Sequence, residues 1–323
     1  MTGFLSLSDD LQRRHKFRNT LHTWLLAAGS LALLVLCVVI VMGPDGILFA
    51  LIGGGLGLFF ATRASPELVL RMYRARELPE HVFEEGHRVL ALIAERAGLP
   101  RVPKLYYVPS RMMNAFAVGR PEDAVVCVTD GLIRGLSSRE FAAVVAHEVS
   151  HVRNGDIKVM ALADIVARMT GVLSTFGMIV LALNLPAILA GSGTVPWLGI
   201  LILLAAPTIG GLMQLALSRA REYDADLDAA ELTGDPEGLA SALVKLERAH
   251  GRRWESMVLP GNRLPDPSLL RSHPRTEDRV ARLKTLQPAR DPVFAALDAP
   301  VVVGKSFIPV TRRPRRRMTG VWY

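Results

Sequence analysis

The sequence predicts a mainly helical membrane protein of the α+β class, with four transmembrane helices in two hairpins and a cytosolic domain that carries a small β-sheet. Half of the 323 residues are hydrophobic and the mean hydropathy is positive, which is unusual for a soluble protein. The apolar residues are concentrated in two long blocks. The segments beside these blocks have the ordinary polar composition of a folded domain.

The first apolar block predicts a transmembrane hairpin at residues 21–62. Leu21 to Met42 is long enough as a helix to cross a hydrocarbon core of about 30 Å. Its only ionisable residues are His22 and Cys37, and the cysteine is expected to be a buried apolar residue. A short turn, Gly43 to Gly46, leads into a Gly-rich run from Ile47 to Thr62, which is near the lower length limit for a crossing. Because no small-residue cleavage site follows the first run, we expect it to remain as an anchor.

The second apolar block predicts another hairpin at residues 159–217. The longest uncharged stretch of the chain runs from Met169 to Ser218. It is interrupted near its middle by Asn184, by Pro186 and by the cluster from Gly191 to Pro196, which are typical of a turn. We therefore expect two antiparallel membrane helices joined by a turn within residues 184–196.

The positive charges beside the apolar blocks predict the orientation. Four crossings would place both termini and the central segment on one side, and the two short loops on the other side contain no Lys or Arg. The positive-inside rule then predicts a multi-pass protein of the cytoplasmic (inner) membrane, with both termini in the cytosol. The flanking basic residues that support this are Arg13, Arg14, Lys16, Arg18, Arg63, Lys158, Arg219 and Arg221.

Two cytosolic tails are predicted, at residues 1–20 and 291–323. The formal net charge of the chain is +8, and part of it lies in the second tail between Arg312 and Arg317. Such a cluster can bind nucleic acid or anionic lipid. With four crossings already predicted, attraction to the inner leaflet is the simpler interpretation, and no nucleic-acid partner is expected.

The segments 63–158 and 218–290 predict the two halves of one globular domain. The first half opens with amphipathic helical periodicity from His81 to Ala97. Lys104 to Val108 and Ala124 to Thr129 are short β-branched or aromatic runs bounded by turn residues, which predicts strands. The second half predicts helices at Ser218–Leu232, Pro236–His250 and Pro274–Leu286.

A further helix in the first half begins with the spacing of a capping box. Ser137 occupies the N-cap position and Glu140 lies three residues later, before an apolar-periodic run that continues through Val152. The helix is expected to end at Asn154-Gly155, because glycine suits the left-handed position after a helix. Asp156 is expected to cap the next helix, which enters the membrane.

This helix contains the sequence His147-Glu148-Val149-Ser150-His151. Residues four apart lie on one helical face, so both imidazoles can bind a single metal ion. A catalytic zinc lowers the pKa of a bound water to about 7, and a neighbouring glutamate can accept the proton. The motif alone arises by chance in on the order of one chain in a hundred of this size. The flanking residues are apolar on almost every side, however, so three ionisable groups there require a reason.

A catalytic zinc needs a third protein ligand, and Glu222 is the candidate. The midpoint between His151 and Glu222 falls near Pro186, so an antiparallel hairpin would bring the two to a similar depth. Asp226 follows one helical turn after Glu222 and is placed to accept the second ring N–H of a ligand, which we expect to be His147. One zinc ion per chain is predicted.

Together these motifs resemble the HtpX-type integral-membrane metallopeptidases of the gluzincin group. The resemblance covers most of the chain, and two membrane hairpins occupy the positions that the family has. The motifs that carry it are Asn114–Gly119, Ala146–His151 with Asn154–Asp156, Ser218–Asp226 and Ser272–Arg275.

The resemblance implies a zincin-like metallopeptidase domain that faces the cytosol. It implies that His147, His151 and Glu222 bind zinc and that Glu148 is the catalytic acid and base. It also implies endoproteolysis of misfolded or damaged membrane proteins, that is, membrane protein quality control and stress response. The expected partners are polypeptide substrates and the lipid bilayer.

The resemblance and the chemistry assign roles to two further sets of residues. In this family the segment Asn114, Ala115 and Phe116 resembles a sheet edge over the cleft, where a substrate could add as an extra strand. A plain structural turn is the alternative. Hydrolysis also needs a donor for the oxyanion besides the metal, and His273 and Arg279, in the C-terminal motif segment, are the candidates.

Two other functions are compatible with the motifs. One is a prenyl-protein (CAAX-type) peptidase, which shares the His-Glu and downstream Glu motifs. Peptidases of that type are larger and have additional membrane helices that enclose a chamber, so four predicted crossings argue against this function. The other is a catalytically silent membrane adaptor that retains a structural zinc. Glu148 argues against the adaptor, because a structural site has no need of a base. The sequence is also compatible with assembly into a homo-oligomer.

Overall fold

The computed structural model describes residues 9–62, 66–191, 196–257 and 275–286. The predictions for His273 and for the tail at residues 291–323 lie outside the described residues, as do the first eight residues of the N-terminal tail.

The described part of the chain is mainly helical and contains one small sheet. Its strands are β1 (Arg76–Glu77), β2 (Lys104–Val108), β3 (Ala115–Val118) and β4 (Val125–Thr129). Its helices are α1 (Asp9–Met42), α2 (Gly46–Thr62), α3 (Pro66–Tyr73), α4 (Glu84–Arg96), α5 (Asp130–Gly135), α6 (Ser138–Asn154), α7 (Asp156–Leu189), α8 (Trp197–Thr233), α9 (Pro236–Met257) and α10 (Thr276–Leu283).

Among the described residues, α1, α7 and α8 contain spans that are long and apolar enough to cross a membrane. These spans are Thr20–Met42, Lys158–Leu189 and Trp197–Thr233. The three helices pack together, and Cys37 is buried with Leu203 and Ala206 where they meet. The apolar part of α2, Gly46–Gly57, is shorter. A crossing by α2, and with it the count of four, stays a prediction.

The predicted turn of the second hairpin began too early, although its part at residues 191–196 does lie between α7 and α8. Helix α7 continues through Asn184 and Pro186 and ends at Leu189. The side chain of Asn184 donates to the carbonyl of Val180, one turn back, at 2.7 Å. In an apolar environment without water, backbone groups are best satisfied inside a helix, so a helix continues past residues that would break it in water.

The sheet is mixed, with strand order β1-β2-β4-β3. Strand β4 lies inside the sheet, parallel to β2 and antiparallel to β3, and all of its residues are buried. The strand predicted at Lys104–Val108 is confirmed, and the second begins one residue later than predicted. The segment between them forms β3, an edge strand.

Helix α6 lies at the centre of the domain, against β3 and between α4, α8 and α9. Its buried residues include Phe141, Val145 and Val149, which belong to the main hydrophobic core. The capping box of Ser137 and Glu140 is present. Most of the apolar residues that flank the two histidines are therefore core residues.

The predicted end of α6 is also observed, but the capping role of Asp156 was wrong. Helix α6 ends at Gly155, which has a φ of +67°. Helix α7 then begins at Asp156 without a side-chain cap. The carboxylate of Asp156 instead contacts His151 and Arg221, because the sharp turn at Gly155 directs it back toward α6 and α8.

Candidate metal centre

Helices α6 and α8 bring together the three residues proposed as metal ligands. The Nε2 atoms of His147 and His151 are 3.2 Å apart. Carboxylate oxygens of Glu222 lie 3.4 Å from His147 Nε2 and 3.9 Å from His151 Nε2. One ligand atom from each residue lies within 4.8 Å of the others. Tetrahedral zinc with Zn–N bonds of 2.0–2.1 Å would place two ligand nitrogens about 3.3 Å apart, so the spacing fits this metal.

The protonation of the two rings gives a second test of the fit. Nδ1 of His151 lies 2.6 Å from an oxygen of Asp156, and Nδ1 of His147 approaches Asp226 obliquely at 3.1 Å. A neutral ring that donates its Nδ1–H to a carboxylate has a lone pair at Nε2. With both rings in this neutral form, which metal binding requires, two lone pairs would face each other beside the carboxylate of Glu222. A cation among the three atoms would turn this repulsion into attraction.

The charges around His147 also favour a cation. Burial opposes protonation of this ring, but its contacts with Asp226 and Glu222 outweigh burial and raise the pKa of His147 to about 10. The surrounding carboxylates thus favour positive charge at the ring. Glu148 adds a further carboxylate nearby.

The carboxylate of Glu148 contacts the edge strand. One of its oxygens accepts a hydrogen bond of 3.1 Å from the backbone N–H of Ala117 in β3. Burial raises the pKa of Glu148, while the neighbouring His147 and His151 partly oppose this shift. A carboxylate with a raised pKa is a stronger proton acceptor in its ionised form, as general-base catalysis requires.

The segment predicted to bind substrate leads into β3, which lies against α6, and its side chains point in different directions. The backbone of Asn114 is held by Thr129 through hydrogen bonds of 3.0 and 3.1 Å. Ala115 lies against the main core. Phe116 packs on the other face of the sheet, 4.6 Å from the ring of Tyr73. Any contact of this strand with a substrate would therefore involve its backbone rather than the Phe116 side chain.

Arg279 lies behind the ligands, in contact with Asp226. Its Nε and one terminal nitrogen donate to the two oxygens of Asp226 at 2.7 and 2.6 Å. The other terminal nitrogen lies 3.3 Å from Glu222. Both residues of the pair are buried. The arginine thus holds the carboxylate that faces His147.

Sequence reasoning missed two residues of this site, Asp156 and Arg221. Asp156 was assigned to a helix cap, and Arg221 was counted as a charge at the membrane surface. Asp156 is instead buried and Arg221 is mostly buried beside it, donating to Asp156 at 2.6 Å and to Asp224 at 2.8 Å. The position of Asp156, five residues after His151 and just beyond a helix-terminating glycine, was the available signal.

The chain is similar to known proteins along most of its length. Residues 80–287 match the sequence profile of peptidase family M48. The chain is 37% identical over 279 residues to a protease HtpX homolog of Paraburkholderia phytofirmans, covering 82% of this chain and 96% of the relative. It is 35% identical over 283 residues to protease HtpX of Legionella pneumophila, covering 83% and 99%. The crystal structure of S. mikatae Ste24p is similar with a TM-score of 0.47 and 20% identity, covering 87% of this chain and 68% of that one.

Proposed function

This chain belongs to peptidase family M48, among the HtpX-type membrane metallopeptidases, and on that premise we propose that it is a zinc-dependent endopeptidase with Glu148 as its general base. The observation that carries the proposal is the convergence of His147, His151 and Glu222 on one point, beside the carboxylate of Glu148. Three metal-binding atoms and an adjacent base are the set that hydrolytic zinc sites require.

The positions of the side chains support a proposed role for each of them. A bound zinc ion supplies Lewis acidity, which polarises a carbonyl and lowers the pKa of a water molecule to about 7. Glu148 accepts the proton of the attacking water and delivers it to the leaving amine. The N–H of Ala117 orients the carboxylate of Glu148. Asp226 orients His147, and Arg279 holds Asp226.

The substrate is proposed to bind as an additional strand along β3. This strand is at the edge of the sheet, and the N–H of Ala117 points away from β4 toward Glu148. Because backbone groups alternate in direction along a strand, Ala115 presents its N–H and carbonyl on the same outward side. A peptide paired there would pass beside the three ligands, and Asn114, Ala115 and Phe116 would contribute through their main chain.

The proposed substrates are misfolded or damaged proteins of the membrane. Glu222 follows Leu217, the last residue of the predicted membrane segment, by five positions, which is about 7.5 Å along a helix. The site would then lie at the membrane surface, within reach of polypeptide emerging from the bilayer. We propose a position in the cytoplasmic membrane, four crossings including α2, and cytosolic termini. The proposed division is tails at 1–20 and 291–323, hairpins at 21–62 and 159–217, and a peptidase domain from 63–158 and 218–290.

Metal analysis combined with a cleavage assay tests the proposal. The full chain would be purified in detergent as wild type, Glu148→Gln and the control Glu84→Gln, which alters an exposed carboxylate outside the site. We expect about one zinc per chain in all three. Cleavage of casein and self-cleavage should fall by about 10²–10⁴ in Glu148→Gln only. Full casein cleavage by Glu148→Gln would refute the base, and undiminished activity of metal-free protein would refute the cofactor.

A further inference from the structure

Each of the two histidines is backed by a carboxylate, and each carboxylate is held by an arginine. His147 faces Asp226, which Arg279 holds, as described above. His151 has an equivalent set on the other side of the site. Its Nδ1 lies 2.6 Å from Oδ2 of Asp156, and Nε of Arg221 donates to Oδ1 of Asp156 at 2.6 Å, with a terminal nitrogen of Arg221 also in contact.

We propose that Asp156 and Arg221 are positioning residues for His151, an inference that rests on the proposed function. Asp156 accepts the Nδ1–H of His151, which fixes the tautomer and aims Nε2 at the metal. Only 3% of Asp156 is exposed, so solvent cannot replace its partners. Arg221 satisfies the other carboxylate oxygen and neutralises its charge, which a buried carboxylate requires.

The position of this pair in the chain ties the metal centre to the membrane helices. Asp156 is the first residue of α7, and Arg221 lies on α8 directly before the ligand Glu222. The chain reverses at Gly155, whose φ of +67° lets Asp156 return to His151. The separation of α7 and α8 at this level therefore determines where His151 is held relative to Glu222.

A purely structural ion pair is the alternative, and the same domain contains one for comparison. Arg139 lies near the start of α6, whereas the proposed ligands lie toward its end. It makes a two-pronged contact with Asp235. Asp235 is 1% exposed, close to the exposure of Asp156. The two pairs thus match in residue type and in burial of the carboxylate. They differ in that only Asp156 contacts a proposed ligand.

The test compares these pairs by metal affinity rather than by activity alone. The full chain in detergent would be prepared as wild type, Asp156→Ala, Asp156→Asn, Arg221→Lys, the double variant Asp156→Ala/Arg221→Ala and the matched control Asp235→Asn. Zinc affinity would be measured by competition with a chelator. The visible spectrum of the cobalt-substituted protein would report the geometry of the ligands, and thermal melting would report stability.

We expect Asp156→Ala to weaken zinc binding by about 10- to 100-fold and to alter the cobalt spectrum. Asp156→Asn should have a smaller effect, because its carbonyl can still accept the Nδ1–H. The zinc affinity of Arg221→Lys should lie between those of wild type and Asp156→Ala, because lysine cannot make the two-pronged contact with Asp156. The double variant Asp156→Ala/Arg221→Ala should bind zinc no more than about twofold more weakly than Asp156→Ala, since Arg221 acts through Asp156. Asp235→Asn should lower the melting temperature with unchanged zinc affinity and spectrum.

Unchanged zinc affinity and cobalt spectrum in the Asp156 variants, with a melting temperature lowered as in Asp235→Asn, would overturn the inference. If Asp156→Ala fails to fold, Asp156→Asn and Arg221→Lys carry the same comparison. A wild-type chain that binds no zinc would overturn the proposed function itself. Zinc binding by the wild type that the Asp156 variants leave unaffected would overturn the positioning role alone.

Discussion

Replacing Arg279 by alanine separates two roles that the residue could have in the reaction. The arginine donates twice to Asp226, at 2.7 and 2.6 Å, and both side chains are less than a tenth exposed. Removing it leaves a buried carboxylate without its main partner, which destabilises a protein by about 3–5 kcal/mol. His147 retains its contact with Asp226, so we expect the lower end, about 3 kcal/mol. Loss of this support should also weaken zinc binding by about 10- to 100-fold.

The measurements are denaturant unfolding of the metal-free chain and zinc competition, each on wild type, Arg279→Ala and Arg279→Lys. Lysine should recover only part of both losses, because it cannot contact the two oxygens of Asp226 in parallel. An oxyanion donor would behave differently. Its removal would lower kcat by about 10²–10³ with zinc affinity and stability unchanged. That result would refute the supporting role and would favour the donor role predicted from the sequence.

Three further predictions concern the surroundings of the site. Glu140→Gln should destabilise the domain by about 2 kcal/mol, because the carboxylate accepts from the backbone of Ser137, from Ser241 and from Lys245. Burial alone would raise the pKa of Glu140, but these partners outweigh it and lower the pKa. The free energy of unfolding in urea should therefore differ fully between wild type and Glu140→Gln at neutral pH, and this difference should shrink as the pH falls below about 4. Burial, with a smaller effect from Glu148, raises the pKa of Cys127 to about 12, so a maleimide should label it only after denaturation. Gly131→Ala would place a Cβ 2.3 Å from the carbonyl oxygen of Arg111. We therefore expect the free energy of unfolding, followed by thermal melting, to fall by about 1–3 kcal/mol. Cleavage activity should also fall, while zinc is retained.

The elements that could be predicted are those encoded by local pattern. The capping box at Ser137, the glycine after Asn154 and the strand at Lys104–Val108 are short-range signals, and the structure contains each of them. The segment after Asn114 was expected at a sheet edge from resemblance, and β3 is an edge strand. The predicted turn between the second pair of membrane helices began too early at Asn184, because turn propensities describe a chain in water, whereas α7 continues as a helix in an apolar setting as far as Leu189.

The sequence by itself determined the apolar blocks, the helix of the His-Glu motif and the four-residue spacing of His147 and His151, because each depends on residues close together in the chain. Asp226 was also expected beside His147 from its spacing to Glu222, but tertiary structure alone decided that Asp156 contacts His151 and that an arginine holds each of the two carboxylates. Asp156 and Arg221 meet only because α7 and α8 pack side by side, and Arg279 reaches Asp226 only because α10 returns to α8. No periodicity encodes such contacts, since buried charges are paired by helix packing across long stretches of chain.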